Sequence, residues 1–304
     1  EKIDNFNLVK NSNSSISSFV TIQEGCDKFC KFCVVPYTRG AEFSRSVQEI
    51  KEECENLIDN GVKEISLLGQ NVNAYNHSGK KLSHLLNEIS KIKGLERIRY
   101  TTSHPIDFTS DLIHAHATCE KLMPLIHLPV QSGSNKILKN MNRNHTIEDY
   151  LLIIEKLKKV NPAIEFSSDF IIGYPGETDK DFSKSLDLLK KINYINTFSF
   201  IFSPRPGTPA AKMKKIEDNV AKKRLAIFQK TAEEIKLDYR KRLFNNYSSV
   251  LFENRIAEKN EFFGRDEYFN SIIVKSNNEL KGMTKRVKII NGNQNTLFGE
   301  IGQK

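Results

Sequence analysis

The sequence has no hydrophobic run long enough to cross a membrane, and it has only five cysteines in 304 residues. The first absence excludes a transmembrane helix in this stretch of chain, because such a helix needs about 20 consecutive apolar residues. The polar start EKIDNFNLVKNSNSS is unlike a secretory signal peptide, and the cysteines are unevenly spaced, unlike a secreted disulfide framework. A hydrophobic content of 38% and a mean hydropathy of −0.46 are typical of a globular protein. We therefore expect a cytoplasmic protein without membrane contact.

Three of the five cysteines lie in one short segment: Cys26, Cys30 and Cys33 of GCDKFCKFC. Their spacing is C-x3-C-x2-C, with no fourth cysteine nearby. Iron–sulfur clusters are normally held by four thiolates, so three thiolates on a four-iron cluster leave one iron with an open coordination position. A zinc site with a distant fourth ligand, or chance clustering, remains an alternative. Cys54 and Cys119 are isolated and are interpreted as inert small side chains.

Strand-like and helical runs alternate from residue 19 to residue 203, which predicts an α/β protein with a parallel sheet. The predicted strands are Phe19–Glu24, Glu64–Leu68, Arg97–Thr102, Leu125–Val130, Glu165–Ile172 and Ile195–Phe202. The predicted helices are Val47–Asp59, Leu82–Ile92, Ile147–Val160 and Asp179–Lys191. Six such units are too few for a closed eightfold barrel. We therefore expect a partial (β/α)6 barrel, TIM-like but open.

The chain changes character after residue 203. The segment PRPGTPA predicts a rigid connector, and Val220–Leu243 is predicted to form one long charged helix. The tail contains β-rich runs that predict a small all-β barrel, namely Ser248–Glu253, Tyr268–Lys275, Arg286–Ile290 and Thr296–Ile301. We divide the chain into a flexible lead-in (1–18), a core with its connector and helix (19–243) and a β domain (244–304).

The net charge of +9 is concentrated in one part of the chain. Residues 1–204 carry 25 basic and 25 acidic side chains, whereas residues 205–243 carry 12 basic and 5 acidic ones. A positive belt of this kind attracts polyanions such as RNA. A solvated helix face is the alternative interpretation.

Polar residues and glycines follow several predicted strands at their carboxyl ends, where the active sites of parallel barrels lie. They include Gln70 in LLGQN, Gln131 in HLPVQSGS, and Asp169 and Gly173 in SSDFIIGYPGET. Such groups suit a zwitterionic ligand that carries a nucleoside. Asp169 is either a hydrogen-bond acceptor for ribose hydroxyls or a structural carboxylate. Arg143, in MNRNHT, either pairs with a carboxylate or is a solvated surface residue.

The cysteine segment, with Phe32 directly before its third cysteine, resembles the signature of radical S-adenosylmethionine (SAM) proteins. In order, EGCDKFCKFCVVPYTRG, LLGQNVNAY, TTSHP, HLPVQSGS, SSDFIIGYPGET and SFIFSPRPGTPAA resemble the radical SAM methylthiotransferases, most closely their tRNA branch of the MiaB type. The likeness runs from about residue 19 to the end of the chain. It implies a [4Fe–4S] cluster on Cys26, Cys30 and Cys33, with SAM on the open iron and Phe32 near the adenine of SAM.

In that branch, a 5′-deoxyadenosyl radical starts the methylthiolation of C2 of N6-isopentenyladenosine beside the anticodon of tRNA. The resemblance places Phe32, Gln70, Gln131, Arg143, Asp169 and Gly173 in the SAM pocket. It suggests phosphate contacts by Arg39, Arg45 and Arg205, and the tail resembles the RNA-binding TRAM barrel. The implied partners are SAM, the tRNA anticodon loop and an electron donor such as flavodoxin or ferredoxin. We expect a monomer.

One feature departs from that family. Its members carry an amino-terminal domain whose own three cysteines hold a second cluster, whereas this sequence has no cysteine before Cys26. We therefore expect a fragment that binds and cleaves SAM, and we leave sulfur insertion open. Three alternatives also remain open: a methylthiotransferase for threonylcarbamoyl-adenosine in tRNA, one for a ribosomal-protein aspartate, and an RNA-binding module without full activity.

Overall fold

The computed structural model describes residues 15–256 and 259–302. Residues 1–14, most of the expected lead-in, lie outside the described residues. In the first two thirds of the chain the strands are β1 (Ser17–Thr21), β2 (Gln23–Glu24), β3 (Phe43–Ser44), β4 (Glu64–Leu68), β5 (Asn76–His77), β6 (Lys80–Lys81), β7 (Arg97–Thr101), β8 (Leu125–His127), β9 (Glu165–Ile172) and β10 (Asn196–Ile201). β1 begins two residues before the predicted strand, within the segment 1–18 that the sequence assigned to the lead-in.

Six parallel strands form the expected partial barrel. They pair in the orders β1-β4-β7 and β8-β9-β10, and a parallel bridge between Ile98 and Leu122 joins the two sets. Within the described residues β1 and β10 are not paired with each other, so the barrel is open between them. The predicted bounds of β4 and β9 are confirmed, and those of the other four strands differ by one to three residues at an end.

Helices cover the outer face of the sheet, apart from the short first helix, which follows the third cysteine. Their bounds are α1 (Val35–Thr38), α2 (Val47–Asp59), α3 (Leu82–Ser90), α4 (Ser110–Thr118), α5 (Asn135–Asn140), α6 (Ile147–Val160), α7 (Asp179–Ile192) and α8 (Asp218–Leu243). Capping boxes begin α2, α6 and α7, because a hydroxyl and a carboxylate three residues apart satisfy two otherwise unpaired N–H groups. α1, α4 and α5 are missing from the sequence-based assignment, since all three are short and show little helical periodicity. No helix in the described ranges is long and apolar enough to span a bilayer.

Side chains alternate along each parallel strand between the helix layer and the barrel interior. Ile65 and Leu67 of β4 belong to the main hydrophobic core, and so does Phe170 of β9, whose ring lies 4.7 Å from that of Phe228 in α8. The intervening positions face the barrel interior and carry polar groups such as Ser66 and Asp169. Because the apolar side chains of each strand are buried against the helices, the polar side chains between them must lie on the inner face of the barrel.

The tail is a closed barrel of five strands. They are β11 (Tyr247–Ile256), β12 (Glu261–Arg265), β13 (Ser271–Lys275), β14 (Thr284–Gly292) and β15 (Leu297–Ile301), in the order β11-β12-β13-β15-β14. The small all-β barrel is confirmed, but β12 is not among the predicted strands. The predicted run Tyr268–Lys275 starts too early, because Asp266 accepts hydrogen bonds from the backbone N–H groups of Tyr268 and Asn270 and holds a turn there.

The β-barrel docks at the amino ends of the parallel strands. Arg97 and Arg99 of β7 donate hydrogen bonds to the carbonyls of Arg265, Asp266 and Glu267 at 2.8 Å. Tyr268 donates from its hydroxyl to the carbonyl of Ala163, just before β9. Because the cysteine segment follows the carboxyl end of β1, the β-barrel and the cysteines lie at opposite ends of the parallel sheet.

Candidate active site

The three cysteines come together in a loop that leaves the carboxyl end of the first strands. The Cys26 N–H donates to the Gly40 carbonyl (3.2 Å), and the Cys33 N–H donates to the Cys30 carbonyl (2.9 Å). Gly25 has a φ of +76°, and a Cβ there would collide with the backbone of Ala41. The loop therefore requires glycine at this position, in agreement with the EGC sequence.

The three thiols are partly or fully buried. Burial raises the pKa of Cys26 to about 11, a hydrogen bond with the Lys28 backbone opposes this shift, and the charge of Glu42 adds to it. Burial also raises the pKa of Cys33, and Cys30 is 6% exposed. Thiols in this environment stay protonated unless a cation displaces their protons. A metal group supplies such charge, because a coordinating thiol is deprotonated outright.

Gln70 fixes the cysteine loop from the neighbouring strand. Its Oε1 accepts a hydrogen bond from the Gly25 N–H at 2.7 Å. Gln23 supports the same turn, donating to the Gly25 carbonyl and accepting from the Asn71 N–H. The sequence analysis predicted that Gln70 lies in the SAM pocket. In the structure its Oε1 binds the residue directly before the first cysteine.

Unpartnered polar atoms accumulate beside the loop. The loops that follow the carboxyl ends of the parallel strands form a rim around the cysteine loop. In the described part of the chain, eight buried side-chain atoms have no hydrogen-bond partner, and five of them lie at this rim: Asn71 Oδ1, Ser103 Oγ, His104 Nε2, Arg143 Nε and His145 Nε2. Buried polar atoms are normally paired, and an unpaired one costs about 1–3 kcal/mol. A polar ligand at this rim would offer such partners.

The two rim imidazoles present opposite hydrogen-bonding groups. His145 Nδ1 lies 3.0 Å from the Arg143 carbonyl and must donate to it, which leaves its Nε2 as an acceptor. His104 Nδ1 accepts from the Ile106 N–H at 3.3 Å, which leaves the proton on Nε2. Burial lowers the pKa of His145 to about 4, with Arg143 adding to the shift, and it lowers the pKa of His104 in the same direction. Both rings are therefore neutral near pH 7, one as donor and one as acceptor.

The residue types at the site, three cysteines of one loop and several unpartnered polar groups, fit an iron–sulfur cluster and a polar cofactor. In the described ranges, no group of three or more His, Cys, Asp or Glu side chains is arranged to hold a metal ion. The three cysteines belong to one short loop, in which the Cys33 N–H donates to the Cys30 carbonyl, and thiolates are the ligands of iron–sulfur clusters. The unpartnered polar atoms of the rim could form hydrogen bonds with a polar cofactor bound beside the cysteine loop.

Comparison with known proteins is consistent with this geometry. Residues 20–189 match the Radical SAM superfamily. The tRNA-2-methylthio-N(6)-dimethylallyladenosine synthase of Pelagibacter ubique is 54% identical over 99% of this chain and 68% of its own length. The chain belongs to this family. The enzymes of the same name from Wolbachia pipientis (subsp. Culex pipiens) and Rickettsia akari are each 49% identical, over 95% and 94% of this chain. The chain spans about two thirds of the length of these relatives.

Solved structures of other family members support the fold. The radical SAM methyltransferase TsrM from Kitasatospora setae superposes with a TM-score of 0.55, at 17% identity, over 65% of this chain and 39% of its own. Coproporphyrinogen III oxidase (HemN) from Escherichia coli gives 0.52 at 15% identity, over 71% of this chain and 53% of its own. At such low identity, the likeness establishes the open radical SAM barrel and carries nothing about substrate.

The other residues predicted for the SAM pocket line the same rim. Phe32 packs against an apolar cluster that includes Tyr174 and Phe202. Gln131 has a φ of +74°, and its backbone continues the pairing with β9 through hydrogen bonds to Asp169 and Ile171. These positions bring the rim loops together around the cysteine loop, and SAM contact by Phe32 and Gln131 stays a prediction.

Gly173 follows β9 at the same rim, with a φ of +70°. Its N–H donates to Glu177 Oε1 at 3.1 Å, and a Cβ at this position would come within 2.8 Å of the Cβ of Ala221. Glycine therefore allows α8 to approach the end of β9 closely. Contact between Gly173 and SAM stays a prediction.

His127 is a rim residue that the sequence interpretation missed. Its Nε2 lies 3.3 Å from Asp169 Oδ1 and its Nδ1 lies 2.9 Å from Ser167 Oγ. The ring of Phe198 packs edge-on against it at 5.9 Å. Asp169 therefore has a protein partner, and its contact with a ribose stays a prediction. The period-2 pattern of β8 and β9 could have placed these side chains on one inner face.

The three predicted phosphate contacts differ in their surroundings. Arg39 and Arg205 are exposed at the rim, on α1's carboxyl end and on the connector after β10. Arg45 is mostly buried, and its Nη1 contacts Glu53 (2.6 Å) and the carbonyl of Thr21 (2.7 Å). A phosphate could reach Arg45 only by displacing these contacts.

Proposed function

We propose that this chain performs SAM cleavage, hydrogen abstraction and tRNA binding in the methylthiolation of C2 of N6-isopentenyladenosine next to the anticodon. The observation that carries the proposal is the C-x3-C-x2-C loop at the carboxyl-end rim of an open radical SAM barrel. Membership in the synthase family supports the choice of substrate. Because the relatives are longer than this chain, the complete reaction, including sulfur insertion, belongs to the proposal as well.

Cys26, Cys30 and Cys33 would hold the cluster. When bound, the cluster and SAM supply a 5′-deoxyadenosyl radical, which removes hydrogen from an aromatic carbon that acid–base chemistry does not easily deprotonate. The protein's contribution is to position the reactants and to exclude water. The neutral side chains of His104 and His145 add no charge to the site, and their buried rings keep solvent from the rim.

The tRNA would approach the rim with its target base unstacked, because a base inside a stacked loop cannot enter a barrel. Arg39 and Arg205 are exposed on that side, and Lys222 and Lys223 are exposed at the start of α8. Fewer cations of the positive belt are available to an RNA than the sequence suggests, because some of them bind protein groups. Arg224 bonds with Glu177 and Asp179, and Arg240 donates to the carbonyls of Asn293 and Asn295.

The remaining parts of the proposal concern the electron donor, the cellular compartment and the number of chains in one site. A small one-electron carrier such as flavodoxin or ferredoxin would reduce the cluster. The cytoplasm is the expected compartment, because its reducing conditions keep thiols free for metal binding. One chain would form one site, since the cysteines and the rim residues described above all belong to a single chain.

Transfer of deuterium tests the proposal directly. The chain is reconstituted anaerobically with iron and sulfide, reduced, and given SAM with isopentenylated tRNA deuterated at adenine C2. Deuterium should then appear in 5′-deoxyadenosine. Cys30→Ala should lose both the iron and the product, whereas Cys119→Ala, a half-buried cysteine outside the loop, should retain both.

Each other outcome points to a different function. Unlabelled 5′-deoxyadenosine would keep SAM cleavage and reject adenine C2 as the target. No product from a protein with full iron content would favour a module that only binds RNA. In that case tRNA affinity should survive loss of the cluster and fall steeply with salt.

A further inference from the structure

The last parallel strand, β10, departs from the polar pattern of the barrel interior. Asp169 of β9 faces the interior, and the parallel register sets Phe198 beside it and Phe200 beside Ile171. The ring of Phe198 lies edge-on at 5.9 Å from the ring of His127, which also contacts Asp169. Because side chains alternate along a strand, Phe200 points to the same face as Phe198. Both phenylalanines therefore face inward.

Phe202 continues this series to the rim. It directly follows β10 at the next inward position, and it is buried in an apolar cluster with Tyr174, against which Phe32 packs. Its ring lies edge-on at 5.1 Å from the ring of Tyr174. Phe198, Phe200 and Phe202 thus form a phenylalanine row that runs from the barrel interior to the rim, with about 7 Å between successive residues.

Two members of the phenylalanine row leave much of their apolar surface uncovered. Phe198 is 46% exposed and Phe200 is 61% exposed, whereas Phe170, on the helix-facing side of β9, is fully buried. Phenylalanine is among the residues most often buried. Within the described residues β10 is an edge strand, so the open side of the barrel leaves room beside both rings. An apolar group that entered the barrel would be stabilised by covering them.

The proposed substrate carries an apolar group of this kind. Its target adenosine has to enter the barrel through the rim, and the N6 substituent is a branched hydrocarbon chain without a hydrogen-bonding group. Such a chain is stabilised by leaving water, and aromatic rings offer a large apolar surface on which to bury it. Phe200 is the exposed ring nearest to the rim, so an entering chain reaches it first.

We propose that the phenylalanine row binds the isopentenyl chain of the target adenosine and thereby selects isopentenylated tRNA. Phe198 and Phe200 form the wall that contacts the chain, and Phe202 is the buried residue that fixes the row at the rim. The position of the row is set by the pairing of β10 with β9 and by its packing on α8, both of which belong to the protein alone. The inference rests on the proposed function, from which it takes the substrate.

The test compares two anticodon stem-loop RNAs that differ only in the isopentenyl group of the target adenosine. Their dissociation constants are measured with the reconstituted chain in the presence of SAM, and the ratio of the two constants gives the preference for the modified RNA. A hydrophobic pocket separates substrates that differ by one methylene group by about 10–200-fold. Phe200→Ala should therefore lower the preference about tenfold, and Phe198→Ala should lower it as well. Phe200→Leu keeps an apolar side chain and should retain most of the preference.

Phe298→Ala is the matched control. Phe298 is a 38% exposed phenylalanine of β15, in the other domain, so any loss of affinity that its truncation causes should be equal for the two RNAs. Because Phe198 and Phe200 are exposed, their substitution should leave the thermal unfolding temperature close to that of the unaltered chain.

Three results would overturn the proposal. One is an unchanged preference in the double variant with Phe198→Ala and Phe200→Ala. Another is an equal loss of affinity for both RNAs in that variant, which would assign the rings to base stacking. The third is weaker SAM binding with an unchanged preference, which would assign them to the SAM pocket. Equal binding of the two RNAs by the unaltered chain would instead contradict the proposed substrate, and the inference would fall with it.

Discussion

One buried ion pair of the first domain supports the junction between the two domains, beside the contacts of Arg97 and Tyr268. Arg99 Nε lies 3.0 Å from Glu64 Oε2, with the two side chains 10% and 2% exposed. The same guanidinium donates to the Asp266 and Glu267 carbonyls at 2.8 Å. Arg99→Ala leaves Glu64 buried without its cation, which typically costs about 3–5 kcal/mol. We expect the free energy of unfolding to fall by about that amount.

Urea unfolding measures this loss, and an exposed pair provides the control. Lys91 and Glu88 lie closer together, at 2.6 Å, but their side chains are 58% and 26% exposed. Lys91→Ala should therefore cost no more than about 0.5 kcal/mol, because water screens the pair. A double variant, Arg99→Met with Glu64→Gln, should recover part of the loss, since it removes both charges. A loss below about 1 kcal/mol for Arg99→Ala would refute the assignment of the junction to this pair.

Three further predictions concern pH, the cysteine loop and RNA. Burial raises the pKa of Asp266 to about 6 from its usual 3.8. The folded state then binds a proton more tightly than the unfolded chain, so the contribution of Asp266 to the free energy of unfolding should grow as the pH falls from about 7 to about 4. Urea titrations at several pH values should show this rise, and Asp266→Asn should remove it. Gly25→Ala should lower iron loading, because its Cβ collides with backbone; Gly61→Ala, also at positive φ but with nothing within 4 Å, should keep iron loading and cost only about 1–2 kcal/mol in thermal unfolding. Arg205→Ala should weaken tRNA binding and reduce the salt slope of the binding constant by about 1; an unchanged slope would exclude a phosphate contact.

Local patterns in the sequence determined much of the fold. The strand Glu64–Leu68 and the helix Val47–Asp59 were predicted with the bounds that the structure has, because hydrophobic periodicity and helix caps act over a few residues. The spacing of the three cysteines likewise predicted that they lie in one short loop, which the structure has; their joint binding of a cluster stays a prediction. Where the chain is short and weakly periodic, as in α4, α5 and β12, the same signals were too weak.

Only the tertiary structure decided what the charged residues contact. Arg45, Arg224 and Arg240 look alike in the sequence, but folding gives each of them a protein partner. Arg143 reaches Cys30 across 113 positions, and Arg97 reaches the β-barrel across 168. The positions of these arginines follow no short sequence period, and the groups that they contact come from distant segments of the chain. Packing of the apolar faces brings those segments together, so the sequence determined where the cysteines lie and tertiary contacts decided which cations stay available to an RNA.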